Sequence, residues 1–213
     1  MAARPQPPAD CPACPRLRQY RDDVRRAEPD WHNAPVASFG DPAAALLIVG
    51  LAPGLSGANR TGRPFTGDFA GDLLYATLDR FGFCDGRYER RPDDGLRLRN
   101  CRITNAVRCV PPQNKPTAAE IRQCQPFLEA ELTANPRPRV VLALGRIAHD
   151  SVLRCLGLRL AGFPFSHGGA HQLAPDQRLY DSYHCSRYNT NTGRLTPEMF
   201  QAVFAAMAPF VAA

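Results

Sequence analysis

The stretch "LLIVGLAPGLSGANRTGRPFTGDFAG" (residues 46–71) joins an apolar run, a polar loop rich in glycine and the start of a helical pattern. The apolar run spans residues 44–51 and is continuous and aliphatic, which is typical of a strand buried on both faces of a parallel sheet. Residues 72–81 then carry apolar side chains at helical spacing, and Gly82 ends that pattern. This order predicts an α/β fold with the loop at the carboxyl end of a buried strand, where such sheets bind ligands.

The same alternation continues along the chain. Further strands are predicted within "CRITNAVRCVPP" (101–112), "RVVLALG" (139–145) and "QRLYDSYHCS" (177–186). Helices are predicted over residues 15–27, 117–132, 146–157 and 196–211, and Thr117 and Glu120 form a capping-box pattern. Strands that alternate with helices predict a mostly parallel sheet with helices on both faces. The candidate site is therefore made of the polar segments that follow the strands: residues 50–68, 105–115, 145–149 and 184–194.

Length and composition predict one soluble domain. The chain has 213 residues, so we expect a single domain over residues 11–213, preceded by a disordered tail over residues 1–10. Residues 84–99 carry many charges and glycines and are predicted to be a surface excursion. No apolar run is long enough to cross a bilayer, and the N-terminus lacks the apolar segment of a signal peptide. We therefore expect a cytoplasmic protein without a membrane partner.

The charge of the chain is positive and consists almost entirely of arginine. The net charge is +6, and Lys115 is the only lysine. Arginine binds phosphate through two parallel hydrogen bonds and stacks on flat rings, so this composition is compatible with a nucleic-acid partner. A GC-rich genome that replaces lysine by arginine throughout would give the same composition. The charge alone favours neither explanation.

Four of the eight cysteines have the spacing of a metal site. Cys11 and Cys14 form a C-x2-C pair, and fourteen residues separate Cys109 from Cys124. Four thiolates in this arrangement are suited to zinc or to a four-iron four-sulfur cluster. Either of the last two cysteines, taken alone, is better explained as a buried apolar side chain. As a set, with prolines around both pairs, they favour metal; the other four are predicted to be ordinary thiols, namely Cys84, Cys101, Cys155 and Cys185.

The glycine-rich loop matches neither common nucleotide-binding fingerprint. It lacks the lysine of a P-loop, and Gly50, Gly54 and Gly57 do not fit G-x-G-x-x-G. An aromatic residue inside the loop, Phe65, is suited to stacking on a flat base, although a lone phenylalanine is more often part of the core. Asn105, at a strand end, is suited to reading an amide-like base edge or to capping a turn.

Another strand ends at His184, which is followed by a polar loop. A histidine there can stabilise a leaving anion, or it can simply be hydrogen-bonded at the end of its strand. No chemical role is assigned to His149, His167 or His171.

Four motifs together identify a family. The segments "GLAPGLSGANRTGRPFTGD", "ITNAVRCVPPQNKPT", "ALGRIAHDSVL" and "SYHCSRYNTNTGRLT", with the four cysteines, resemble the family-5, type-B branch of the uracil-DNA glycosylases over about residues 9–205. The resemblance implies a three-layer αβα fold with a central, mostly parallel four-stranded sheet. It also implies removal of uracil and other deaminated bases from DNA, which initiates base excision repair. The implied cofactor is a structural [4Fe-4S] cluster with the ligands Cys11, Cys14, Cys109 and Cys124.

The resemblance also assigns the site residues. It places the base among Gly50, Leu51, Ala52, Phe65 and Asn105, and the leaving anion beside His184. In the Gly-x-x-Pro motif, many relatives carry a polar residue that positions the attacking water, but here the motif reads "GLAP". Another group must hold the water: Asp68 is favoured and Asn59 is the rival, although Asp68 is also placed to cap the next helix.

The remaining expectations concern DNA and substrate range. Phosphate contacts are expected from Arg60, Arg187 and Arg194, in a protein that acts as a monomer. The "GLAP" motif offers no polar group beside the sugar, Ala52 is small, and Gly54 and Gly57 would leave the loop wall free of side chains, so a larger ring could fit. The amide of Asn105 could read the carbonyl and N–H of either base, and hypoxanthine is therefore predicted as a second substrate. Two other functions fit the same residues. One is an iron–sulfur protein of this fold that traps damaged DNA without reaction, and the other is a zinc-stabilised nucleotide-binding module.

Overall fold

The computed structural model describes residues 5–134 and 136–212. A six-stranded sheet lies at the centre, in the order β1-β5-β2-β6-β8-β7. Its strands are β1 (Phe39–Gly40), β2 (Leu46–Gly50), β5 (Cys101–Asn105), β6 (Val140–Leu144), β7 (Ala170–Ala174) and β8 (Gln177–Ser182); a separate hairpin pairs β3 (Cys84–Asp85) with β4 (Arg97–Leu98).

The helices pack on both faces of this sheet. They are α1 (Pro15–Ala27), α2 (Ala58–Thr61), α3 (Phe69–Arg80), α4 (Ala118–Leu132), α5 (Arg146–Cys155), α6 (Arg187–Asn191) and α7 (Pro197–Ala212). On one face the sheet packs against α3 and α7, and on the other against α4 and α5. The predicted three-layer αβα architecture is confirmed. Within the part of the chain that the structure describes, no helix combines the length and apolar character needed to cross a membrane.

The four predicted strands are confirmed and form the parallel centre of the sheet, β5-β2-β6-β8. Alternate residues of β2 face opposite cores: Leu46 and Ile48 pack towards α3 and α7, and Leu47 and Val49 towards α4 and α5. Burial on both faces is why the run in the sequence is continuous rather than alternating. Each leucine buried in this way contributes roughly 1.5–3 kcal/mol relative to exposure.

The sheet is wider than predicted, because two antiparallel strands add to its edges. β1 has two residues and pairs with β5, while β7 pairs with β8 across a tight turn. The residues of β7 are exposed or half-buried, so they lack the apolar run that marked the other strands. The four-stranded sheet predicted from the sequence is thus the buried, parallel part of a six-stranded one.

A buried ionic network fastens α4 and the N-terminal segment to the sheet. Arg102 on β5 donates to both carboxylate oxygens of Glu131 on α4, at 2.7 and 3.0 Å. Gln6 donates to the same carboxylate at 3.1 Å and accepts from Arg108 at 3.0 Å. Residues 1–4 of the predicted tail lie outside the described residues, and Gln6 in that tail is hydrogen-bonded to the domain.

Candidate active site

A cleft of about 740 Å³ lies at the carboxyl ends of the four parallel strands. Each polar segment predicted from the sequence contributes to its walls, because the carboxyl ends of parallel strands meet at one edge of the sheet. The walls come from the loop after β2, from Asn105 and Asn114, from the start of α5 and from residues 184–188.

One wall is built from an aromatic ring, an amide and an imidazole. Phe65 is 6% exposed, and its ring stacks on that of His184 with centroids 5.7 Å apart and planes 25° apart. Gly50 makes room for this arrangement: a Cβ atom there would lie 2.6 Å from Cζ of Phe65 and 2.4 Å from Oδ1 of Asn105. The glycine at the end of β2 is therefore required by its neighbours' side chains.

Asn105 and His184 present hydrogen-bonding groups at this wall. Oδ1 of Asn105 is buried and has no partner among the described residues, as expected of an atom that bonds a ligand. Burial lowers the pKa of His184 to about 4, so its imidazole is neutral at physiological pH. The side chain of Asn189 donates to the backbone oxygen of His184 at 2.8 Å and holds the loop in place.

Asp68 is both a helix cap and a residue of the cleft wall. Its side chain accepts from the backbone N–H of Gly71 at 3.3 Å, so α3 begins at Phe69 and not at residue 72 as predicted. Burial raises the pKa of its carboxyl group. A Cβ atom on Gly57 or on Gly54 would lie 2.3 or 2.9 Å from Oδ2 of Asp68. The two loop glycines therefore leave space for this carboxylate, and the expectation that they leave the wall empty for a larger base is wrong.

Asn59 points elsewhere. It lies on α2, is fully buried, and donates from Nδ2 to Oδ1 of Asn33 at 2.9 Å. It is absent from the residues that line the cleft, whereas its neighbour Ala58 is among them. Of the two predicted water-positioning residues, the structure brings only Asp68 to the cleft, together with Leu51 and Ala52 of the "GLAP" motif.

The three predicted phosphate-binding arginines are exposed, and two lie near the cleft. Arg187 lines it, with its guanidinium 5.4 Å from the ring centre of Phe69. Arg194 borders a neighbouring hollow of about 380 Å³ and lies 4.4 Å from the ring centre of Tyr183. Arg60 instead lies over Trp31, at 6.0 Å, and does not line either cavity.

Sequence reasoning missed three residues of the rim. Arg146 lines both the cleft and the hollow, Ile147 is 39% exposed, and Tyr188 is 72% exposed at the mouth of the cleft. A large exposed aromatic side chain beside a concave site is unusual for a soluble protein. The available signal was the single tyrosine within the polar segment after His184.

The four spaced cysteines surround one small cavity beneath α1. They are free thiols, and two of them accept hydrogen bonds: Cys109 from the buried guanidinium of Arg21 and Cys124 from the backbone N–H of Arg108, both at 3.3 Å. Burial, with the neighbouring thiols, raises the pKa of Cys124 to about 12 and that of Cys14 to about 11. Cys84, Cys101, Cys155 and Cys185 are buried and do not line this cavity.

A second polar cluster supports the strand that carries the imidazole. His149 on α5 faces the carboxylate of Asp181 at 2.7 Å and the backbone oxygen of Phe163 at 2.8 Å, so both ring nitrogens face acceptors. Although burial opposes it, the hydrogen bond and charge of Asp181 raise the pKa of His149. This pair fixes β8 three residues before His184.

The fold and the cleft together define an α/β protein with a ligand-sized site at the carboxyl edge of its parallel strands. Residues 37–208 match the family model described as the uracil DNA glycosylase superfamily, and the chain belongs to that family. It is 49% identical to the type-5 uracil-DNA glycosylase of Thermus thermophilus, over 91% of this chain and 90% of that protein.

Two further relatives extend the comparison. The type-5 uracil-DNA glycosylase of Mycobacterium leprae is 47% identical, over 91% of this chain and 88% of that protein. The type-4 uracil-DNA glycosylase of Pyrobaculum aerophilum is 32% identical, over 70% of this chain and 63% of that protein. The resemblance to the type-B branch inferred from the motifs is confirmed.

Proposed function

We propose that this protein hydrolyses the N-glycosidic bond of uracil and other deaminated bases in DNA, and so initiates base excision repair. One observation carries this proposal: a single cleft is lined by an aromatic ring, a neutral imidazole, a half-buried carboxylate and an amide whose oxygen has no partner among the described residues. The names of the type-5 relatives support the same activity.

The cleft is suited to a base that has left the DNA stack. Flipping a nucleotide out costs a few kcal/mol and is easiest at a mismatched or damaged base pair. Phe65 offers a ring face to the flipped base, and the amide of Asn105 complements the carbonyl and N–H of the uracil edge. Tyr188, which is exposed at the mouth, would fill the gap that the base leaves, and Arg187 would bind a phosphate beside it; both roles are supported by their positions along the cleft.

The chemical step follows from two side chains. As the glycosidic bond breaks, its electron pair leaves with the base as an anion, and the neutral imidazole of His184 donates a hydrogen bond to that anion. The carboxylate of Asp68 orients a water molecule, whose oxygen bonds to C1′ of the sugar while its proton passes to the carboxylate. A raised pKa makes Asp68 a better base for this transfer.

We also propose that Cys11, Cys14, Cys109 and Cys124 hold a four-iron four-sulfur cluster. The buried guanidinium of Arg21, whose Nε has no partner among the described residues, supplies positive charge beside the thiols. The four thiols come from separate segments of the chain and line one cavity, and four converging thiolates are the ligand set that such a cluster requires. The cluster would act structurally and join α1 to β5 and α4.

The proposed substrate range includes hypoxanthine after uracil. The loop glycines Gly54 and Gly57 do not support this range, because the carboxylate of Asp68 fills the space beside them. The cleft volume of about 740 Å³ and the small side chain of Ala52 leave room for a two-ring base above Phe65. Hypoxanthine offers a carbonyl and an N–H as uracil does, so one amide can read both.

A base-release assay tests the proposed function. We expect a duplex with one uracil to lose that base and become sensitive to alkali, with slower release from a hypoxanthine duplex and none from normal thymine or adenine. Asp68→Asn is the matched control for contaminating activity. Tight binding without release at enzyme excess would instead indicate a protein that traps damaged DNA, and release of uracil alone would refute the wider range. Sedimentation of the free protein tests the expectation of a monomer.

A further inference from the structure

The backbone of Phe65 has an unusual conformation. Its φ angle is +53°, in the left-handed region that residues with large side chains rarely adopt. Such a conformation persists only where the surrounding structure holds it, and it is frequent at functional sites. The contacts that hold Phe65 therefore decide whether its ring faces the cleft.

The hydroxyl group of Tyr88 bridges the loop on both sides of this residue. It donates to the backbone oxygen of Phe65 at 3.1 Å and accepts from the backbone N–H of Gly67 at 3.3 Å. Its ring stacks on that of Tyr75, with centroids 4.3 Å apart, and the hydroxyl of Tyr75 donates to the backbone oxygen of Pro64 at 2.8 Å. Three consecutive peptide groups around Phe65 are thus bonded to two stacked tyrosines.

A buried ion pair fastens the same loop two residues before Phe65. Arg63 donates through two parallel hydrogen bonds to Asp94, both of 2.7 Å, and the two side chains are 6% and 0% exposed. Arg63 also donates to the hydroxyl of Thr66 at 2.8 Å. The carboxylate of Asp94 also accepts hydrogen bonds from the backbone N–H groups of Glu89 and Leu96. These bonds hold the residues of the excursion together around Asp94. A bidentate, desolvated pair of this kind is geometrically specific.

Tyr88 and Asp94 both belong to the excursion over residues 84–99, and no residue of that segment lines the cleft. We propose that this excursion is the positioning element for Phe65, with the hydroxyl of Tyr88 as its principal contact. The proposal rests on the proposed function, in which Phe65 stacks on the target base. Tyr88 is then a positioning residue that acts through Phe65, and the excursion affects base capture without lining the cleft.

The test begins with Tyr88→Phe, which removes one oxygen atom and keeps the stacked ring. We expect about tenfold slower single-turnover release of uracil, the effect of one hydrogen bond that matters in the transition state, with unchanged affinity for undamaged DNA. Hydrogen exchange at the amide of Gly67 should become faster. The matched control is Tyr180→Phe, whose hydroxyl donates to the backbone oxygen of Ala206 at 3.4 Å, away from the cleft. It should change neither measurement.

A double-mutant cycle separates positioning from general stability. In a Phe65→Ala background, Tyr88→Phe should slow release less than twofold further, because the group that it positions is gone. A further tenfold loss would overturn the proposal, as would a wild-type rate for Tyr88→Phe beside an impaired Phe65→Ala enzyme. Full activity of Phe65→Ala would refute the stacking role of Phe65 and with it this proposal, whereas absence of uracil release by the wild-type protein would be a failure of the proposed function. Asp94→Asn, which weakens the other attachment, provides a second variant with the same expected dependence on Phe65.

Discussion

Gly50→Ala tests the geometry of the cleft with one added carbon atom. Gly50 is the last residue of β2, where it pairs with Asn105 in extended strand structure, so alanine changes the space and not the backbone preference. The new Cβ would lie 2.6 Å from the ring of Phe65 and 2.4 Å from the amide of Asn105. Both side chains must therefore move by about 1 Å.

The size of the effect follows from that displacement. A misplacement of about 1 Å of a group that orients the substrate costs about 10²-fold in rate, or about 2.7 kcal/mol of transition-state stabilisation. Overpacking also lowers the free energy of unfolding, by about 1–3 kcal/mol. We therefore expect a folded variant with a lower melting temperature and about 10²-fold slower release of uracil.

The assay is single-turnover release from a duplex with one uracil, measured below the melting temperature of the variant. Gly162→Ala is the control, because a Cβ atom there meets nothing within 4 Å. Affinity for undamaged duplex should be unchanged, since the added carbon atom faces the base-binding wall. If Gly50→Ala releases uracil at the wild-type rate while its melting temperature falls, the base does not bind between Phe65 and Asn105, and the reasoning fails.

Four further outcomes are expected. Asp68→Asn should reduce turnover far more than DNA affinity, and Asn59→Ala should mainly reduce stability. A near-normal turnover of Asp68→Asn beside an inactive Asn59→Ala would instead show that Asn59 positions the water. Arg187→Ala should weaken binding to all DNA sequences alike and flatten the salt dependence by about one charge, so an unchanged slope removes it from the interface. Purified protein should be brown, with about four irons per chain, and Cys109→Ala should lose iron and stability together, whereas stoichiometric zinc would contradict the cluster. Although burial opposes it, Arg102 lowers the pKa of Glu131 to about 2. The ionised Glu131 therefore contributes about 3 kcal/mol to the free energy of unfolding above about pH 4.5, and this contribution is lost as the pH falls towards 2. In urea titrations, Glu131→Gln should be less stable than wild type at pH 7 and nearly equal to it near pH 2.

The parallel centre of the fold and the position of the cleft are predictable from the sequence. Strands such as Leu46–Gly50 are buried on both faces, so their side chains form an uninterrupted aliphatic run. The polar segments that follow those strands then converge without further assumptions, since all four strands point the same way. Chain order and hydrophobicity carry this information directly.

The edge strands and the excursion depend on contacts that no local pattern records. β1 is a strand only because Phe39 and Gly40 pair with β5, and β7 only because it pairs with β8. The charges of residues 84–99 are typical of a solvated surface, yet the side chain of Asp94 is fully buried in a pair with Arg63, thirty-one residues away. A charged segment cannot reveal from its own sequence which of its charges is buried.

The choice between Asp68 and Asn59 shows the same limit within one motif. Both are polar residues of the loop after β2, and spacing does not say which one faces the cleft. The difference arises because Asn59 lies on the single turn of α2 and is turned inwards to Asn33. Asp68 precedes α3 and is held over the loop by the first N–H groups of that helix. Orientation here is set by the short helix and by a residue from a distant segment.

Three of the five glycines in the loop over residues 50–68 have one explanation that the motif alone did not suggest. The side chains of Phe65 and Asn105 occupy the space where a Cβ atom of Gly50 would lie. The carboxylate of Asp68 occupies the corresponding space at Gly54 and Gly57. The loop thus lacks side chains at the points where the proposed catalytic and base-binding groups are seated. Substitution of a glycine should therefore damage catalysis through a displaced neighbour, even though no glycine need contact the substrate. Under the proposed function, substrate size would instead be limited by the residues that face the open cleft, which include Ala52 and Gly145. Enlarging Ala52, and not the glycines, is accordingly the change that should narrow the range towards uracil while leaving Asp68 in place.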